Sequence, residues 1–188
     1  LRAAIAGLYT WRSLNTKDPA LRQRYKREAH FAYRQAIAFG PINPETVFKF
    51  INLLTEMEKL DQAIRVAQCY YNLDPANPSS KIFIRQAIHN RTLHLTETGQ
   101  FDEAMESTKL LERIDPEGGK LLKIQLLQNR EYNLAALGEF NKAILITKRL
   151  HKIDPSGNHL IRQSHYERQA SNDKLIINNF NKFKDFFI

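Results

Sequence analysis

Apolar residues in this chain return at helical spacing. Val47, Phe50, Ile51 and Leu54 form one such stripe, and Ala104, Leu111 and Ile114 belong to another. The breaks between stripes set the elements. The pattern predicts a helix over residues 1–13 with Leu8, Tyr9 and Trp11 on its apolar side. A turn from Asn15 to Asp18 follows, then a helix from Pro19 to Phe39 that Gly40-Pro41 ends. Pro44 opens a helix to Lys59, and Asp61 caps another that ends near Asn72. Residues 80–98 and 101–114 make a third pair, 119–137 and 140–153 a fourth, and 158–170 begin a fifth. The tail from Asn172 continues as a weaker helix, since Asn172 and Asn178-Asn179 lower its propensity. The chain is therefore predicted to be all-α.

The helices repeat in pairs. Ala29, Ala63, Ala104 and Ala143 each stand twelve residues before a proline (Pro41, Pro75, Pro116 and Pro155). Three of the units close alike, on Leu73-Asp74-Pro75, Ile114-Asp115-Pro116 and Ile153-Asp154-Pro155. A small residue at the alanine lets two helices approach closely. The residue before a proline is pushed out of the helical region, so the helix stops there, and Gly118 and Gly157 give the turn room. Between residues 86–118 and 125–157, fourteen identities hold at a spacing of 39. Asn179-Phe180-Asn181-Lys182 echoes Glu139-Phe140-Asn141-Lys142, so a further hairpin starts near the end of the chain and is incomplete. Phe180, Phe183, Phe186, Phe187 and Ile188 would then either cover the last open face or leave it sticky. One hairpin cannot bury its own apolar face, so neighbours must stack.

Gly99-Gln100-Phe101-Asp102-Glu103-Ala104 and Gly138-Glu139-Phe140-Asn141-Lys142-Ala143 resemble the Gly-x-aromatic-x-x-Ala turn of tetratricopeptide (TPR) repeats. The likeness spans residues 20–170. It implies a right-handed superhelix of four to five antiparallel helix pairs, the last incomplete, at roughly residues 1–40, 42–75, 79–116, 118–155 and 158–188 of one domain. Two departures mark the repeats as divergent. The Leu-Gly of the family's first helix is replaced by Phe50-Ile51, Arg91-Thr92 and Arg130-Glu131, and the proline spacings are 34, 41 and 39. A second resemblance lies in the first half. Gly7-Leu8-Tyr9-Thr10-Trp11-Arg12, residues 27–36 and residues 44–54 are similar to the soluble C-terminal region of large bacterial multi-pass membrane proteins with a glycosyltransferase-like membrane part. That resemblance implies a tail without the catalytic part.

Composition narrows the function. With 43% hydrophobic residues, 7 Gly and 7 Pro, the chain can bury a core and is neither disordered nor all-β. It starts at Leu1 rather than Met, which reads as a fragment or processed product, so the missing targeting segment leaves the compartment open. Cys69 is the only cysteine; it excludes an internal disulfide and a multi-Cys zinc site, and reads as a small core residue. Tyr70-Tyr71, Trp11 and Phe48 read as packing. The net charge of +8 is uneven, the first 40 residues carrying 8 basic and 2 acidic side chains. A basic end can draw in phosphate or an acidic partner, or can simply face water.

No Gly-rich phosphate loop, His-Glu-x-x-His or Gly-x-Ser-x-Gly motif occurs. His89 and His94 are five apart, not the four of a metal pair, and the other histidines are scattered. No enzyme, cofactor or metal is expected. The recurring polar set is the candidate surface: Gln86, Asn90 and Arg91, then Gln125, Asn129 and Arg130, then Gln163 and Arg168. The TPR resemblance places first helices along the concave groove, where these residues would form a ladder. The arginines suit bidentate contacts to carboxylate or phosphate, and the asparagines suit a peptide backbone. The alternative is that each Arg buries its stem and pairs with a neighbouring acid. The leading expectation is a non-catalytic scaffold that holds a protein or peptide in that groove. An RNA-binding helical repeat, and an organising tail of a larger membrane enzyme, are the alternatives.

Overall fold

The structure, a computed structural model, describes residues 1–186. Among them the chain is all-α: α1 (Arg2–Asn15), α2 (Pro19–Phe39), α3 (Pro44–Glu56), α4 (Leu60–Leu73), α5 (Pro78–Glu97), α6 (Phe101–Ile114), α7 (Pro116–Ala136), α8 (Phe140–Ile153) and α9 (His159–Phe186). It divides into two compact units, Leu1–Gly118 and Gly119–Ile188.

Unit 1 is three TPR-like hairpins. α1 packs on α2, α3 on α4 and α5 on α6, while α2 touches α3, α4 touches α5, and the first helices α1, α3 and α5 touch in turn. One device starts half of these helices. Asp18, Asn43 and Asn77 each stand before a proline, and their side-chain oxygens accept backbone N–H groups of the first turn. Asp115 does the same before Pro116, accepting from Gly118 N at 3.2 Å. So α7 starts at Pro116, earlier than the sequence pattern predicts, because the Asp that ends one helix caps the next. Gly118 lies inside that first turn. A Cβ there would overlap the Asp115 carboxylate.

A second device closes the hairpins. Glu58, Gly99 and Gly138, each five residues before a repeat alanine, have φ of 57°, 78° and 75°. The next residue's N–H reaches back to Leu54 O (2.8 Å), Leu95 O (2.7 Å) and Leu134 O (2.9 Å). Each turn is a Schellman motif. It sets the start of α4 at Leu60, so Asp61 is not the cap the pattern suggests: the N-cap is Lys59, without a side-chain bond. Asp61 pairs with Arg91 instead.

The four repeat alanines, Ala29, Ala63, Ala104 and Ala143, are all at 0% exposure, the shared environment that the repeat requires. The stripe Val47, Phe50, Ile51 and Leu54 is buried on α3, about 1.5–3 kcal/mol per side chain by transfer. Buried hydroxyls on helices bond backward to backbone carbonyls: Thr92 to Ile88 O, Thr108 to Met105 O and Thr147 to Ala143 O. Three sequence expectations fail. Trp11 and Leu8 are 61% and 49% exposed, because α1 buries Ala6 and Ser13 and, at 100° per residue, Leu8 and Trp11 face roughly the opposite side. Cys69 is exposed rather than a core residue.

In unit 2, the Gly138 turn joins α7 to α8, and α8 packs on α9. Leu122, Leu126 and Leu127 are buried on α7, Ala143, Ile146 and Leu150 on α8, and Tyr166 on α9. The expected break before a second helix near Asn179 does not occur: α9 runs on to Phe186. The residue matching Gly138 is Asn178, so the glycine of the preceding turn is not repeated. The side chains of the aromatic tail from Phe180 to Ile188 lie outside the described residues.

Candidate functional site

The structure divides the expected polar ladder. In unit 1 its members bond within the fold. Gln86 Nε2 donates to Asn52 Oδ1 at 3.2 Å and Asn90 Nδ2 to Thr55 Oγ1 at 3.4 Å, so α5 reaches α3 through amides. Arg91 Nε donates to Asp61 Oδ1 at 2.8 Å, and its other end donates to the Ser107 hydroxyl. In unit 2, Gln125 and Asn129 are exposed, Arg130 is half-buried, Gln163 Nε2 donates to Glu167 Oε1 at 2.8 Å, and Arg168 is exposed.

Two charged features were not read from the sequence. The first is Glu131, which stands where the preceding repeat has Thr92 and is fully buried. Arg162 of α9 meets it with two bonds, 2.8 Å from Nε and 3.3 Å from Nη2. Arg162 Nη2 also lies 2.7 Å from His159 Nδ1. A guanidinium only donates, so Nδ1 accepts and the ring proton sits on Nε2, 3.5 Å from Asp154 Oδ2. Burial, reinforced by the charge and hydrogen bond of Glu131, pushes the Tyr166 hydroxyl up to about 12. The group holds α7 to α9 and binds its own charges internally.

The second feature is a cleft of about 740 Å³ in unit 1, between α2 and α4 over α3. Phe50 and Leu54 lie at its base, with Ile37, Ala38 and Val66 on the walls. His30 and Arg34 line it from α2, and Lys59, Gln62 and Arg65 from the α4 side; no lining residue is acidic. Among the described residues, Arg34, Lys59 and Arg65 have no ion pair or hydrogen bond from their side chains. His30 rests on Phe50, ring centroids 5.4 Å apart, and its Nε2 is buried without a partner. Burial first, then the charges of Lys59 and Arg34, hold its pKa below the ordinary value, with nearby Gln62 acting in the opposite sense. A second recess of about 190 Å³ shares Ile37, Arg65 and Val66 with the cleft and adds Pro41, Val47, Cys69, Tyr70 and Leu73. The only trace of this site in the sequence is the basic excess of the first 40 residues, because its walls come from helices thirty residues apart.

No protein-family model matches the chain, and no curated protein does. The resemblance of its first half to a membrane-protein tail therefore finds no support there. A solved structure to which the chain is similar is that of a thermophilic TPR protein of Thermus thermophilus. The two share 13% identity over 88% of this chain and 81% of that one, with a TM-score of 0.36. At that distance, the TPR-like character of this chain rests on its own hairpins, buried alanines and repeated turns. Among the described residues, no helix is long and apolar enough to cross a membrane.

Proposed function

We propose that this chain is a non-catalytic scaffold that binds a protein or peptide segment. The observation that carries the reading is the α2–α4 cleft. Its volume falls in the range of ligand sites, its base is apolar, and the cations of its rim form no ion pair among the described residues. A surface that stacked hairpins leave open in this way suits a partner's side chains better than a reaction, since no nucleophile–base pair lines it. Of the polar ladder, Gln125, Asn129 and Arg168 are exposed and are assigned to partner contacts. Gln86, Asn90 and Arg91 support the fold of unit 1.

The test is selection of the full chain against a displayed library of random peptides, followed by calorimetry on synthesised winners. The reading expects saturable binding in the micromolar range. If no selected peptide saturates the chain below about 1 mM, roughly 4 kcal/mol of binding free energy, the scaffold reading is refuted.

A further inference from the structure

The chemistry of the cleft narrows the partner, an inference that rests on the scaffold reading and deepens it. We propose that the α2–α4 cleft takes a peptide segment in which acidic side chains adjoin a bulky aliphatic residue. The carboxylates meet His30, Arg34, Lys59 and Arg65, and the aliphatic side chain enters the recess beside Cys69 and Leu73.

Charge complementarity is the first argument. Three cations and a histidine face one cavity, and the acids closest in sequence are engaged or stand outside it. Glu56 pairs with Lys26 at 3.4 Å and Asp61 with Arg91 at 2.8 Å, while the exposed Glu58 is not a lining residue. Like charges gathered without a counter-ion repel one another, and an incoming carboxylate removes that cost. An arginine fork binds it with two parallel bonds. The unpartnered His30 Nε2 is a further polar atom at the same wall. Its neighbours are Arg34 on its own helix, Phe50 on α3, and Lys59 and Gln62 from the α4 side.

The recess supplies the second argument. It adjoins the cleft through Ile37, Arg65 and Val66, and is walled by aliphatic groups and an exposed thiol. Tyr70, 1% exposed, has a hydroxyl without a partner there. A site for single-stranded nucleic acid offers aromatic faces on which bases stack. Here the rings of Phe50 and Tyr70 are buried, at 4% and 1% exposure, and offer no platform. An acidic–aliphatic peptide fits both halves.

Cys69, the chain's only cysteine, makes the site directly readable. The probes are a fluorescein-labelled peptide of consecutive glutamates followed by leucines, the same peptide with glutamines for glutamates, and an oligouridylate. Anisotropy on the full chain reads affinity, and maleimide alkylation of Cys69 reads location. The expected result is that the glutamate peptide binds and slows alkylation. The glutamine peptide, and the variant Arg34→Gln/Lys59→Gln shown by circular dichroism to be folded, each weaken binding at least about ten-fold. The proposal is overturned by equal affinity for the glutamine peptide, by binding that leaves Cys69 unprotected, or by an oligouridylate that displaces the peptide and protects Cys69 itself. If the glutamate peptide fails while library-selected peptides of other composition bind, this inference falls and the scaffold reading stands. If neither binds, both fall.

Discussion

Replacing Gly99 with alanine tests the turn geometry in isolation. Gly99 and Glu58 occupy matching positions in two Schellman turns of unit 1, with φ of 78° and 57°. Nothing lies within 4 Å of a Cβ built on Gly99, so alanine meets no steric overlap. The backbone bonds of the turn, 2.7 Å from Gln100 N to Leu95 O and 3.1 Å from Gly99 N to Thr96 O, do not involve the side chain. What remains is the cost of a Cβ in the left-handed region, about 1–2 kcal/mol. The narrower unfolded ensemble of alanine offsets part of that cost without cancelling it. Gly99→Ala should therefore destabilise by about 1 kcal/mol, a fall in Tm of roughly 2–4 °C for a chain of this size. Glu58→Gly should act in the opposite sense, raising stability by somewhat less than about 1 kcal/mol, because glycine's unfolded-state entropy takes back part of the gain. The exposed Glu58 forms no ion pair among the described residues that would confuse the result. Urea unfolding followed by far-ultraviolet circular dichroism gives both midpoints, and the slope should stay constant. If Glu58→Gly lowered the midpoint, or Gly99→Ala left it unmoved, the claim that backbone conformation alone distinguishes these turns would be refuted.

Two further outcomes follow from the charged groups. Arg162→Met strands the fully buried Glu131 and should cost unit 2 about 3 kcal/mol or more in urea unfolding; a loss below about 1 kcal/mol would mean that water reaches Glu131. Asp115 is an acid-sensitive site of unit 1. Burial pushes its carboxyl up, but the Gly118 N–H, the Arg85 guanidinium and the Lys81 charge outweigh it and hold the pKa below the ordinary value. A depressed pKa gives stability that is present above the unfolded value of about 3.9 and is lost as pH falls through the lower folded one. Between about pH 5 and pH 3 the wild type should lose more stability than Arg85→Gln, and parallel losses would show that the pair does not couple to folding.

The sequence carried the helices, the buried alanines and two of the three left-handed turns, because each is a local signal: a 3.6-residue rhythm, a missing side chain, a glycine. The third turn was hidden, since Glu58 adopts the same conformation without the residue that advertises it. Its backbone bonds match those of the glycine turns, with Lys59 N–H reaching Leu54 O at 2.8 Å. The ion pairs were out of reach for another reason. Arg85 with Asp115, Arg91 with Asp61 and Arg162 with Glu131 join residues 30 or 31 positions apart on different helices. Nothing in periodicity says which acid an arginine will meet, so the recurrence of Arg91 as Arg130 leaned toward a structural pair without excluding a groove. The cleft was illegible for the same reason, since Arg34 and Arg65 become neighbours only when α2 and α4 stand side by side.

Hairpins that share fourteen identities are similar bricks, and a growing chain could lay them in the wrong order. Glu131 guards against this. Its counterpart one brick earlier is Thr92, so a helix α9 docked against α5 would bring Arg162 to a neutral hydroxyl, and α7 without α9 would leave Glu131 without its cation. One lock and key, cut into otherwise similar masonry, thereby penalises a last course laid in the wrong place.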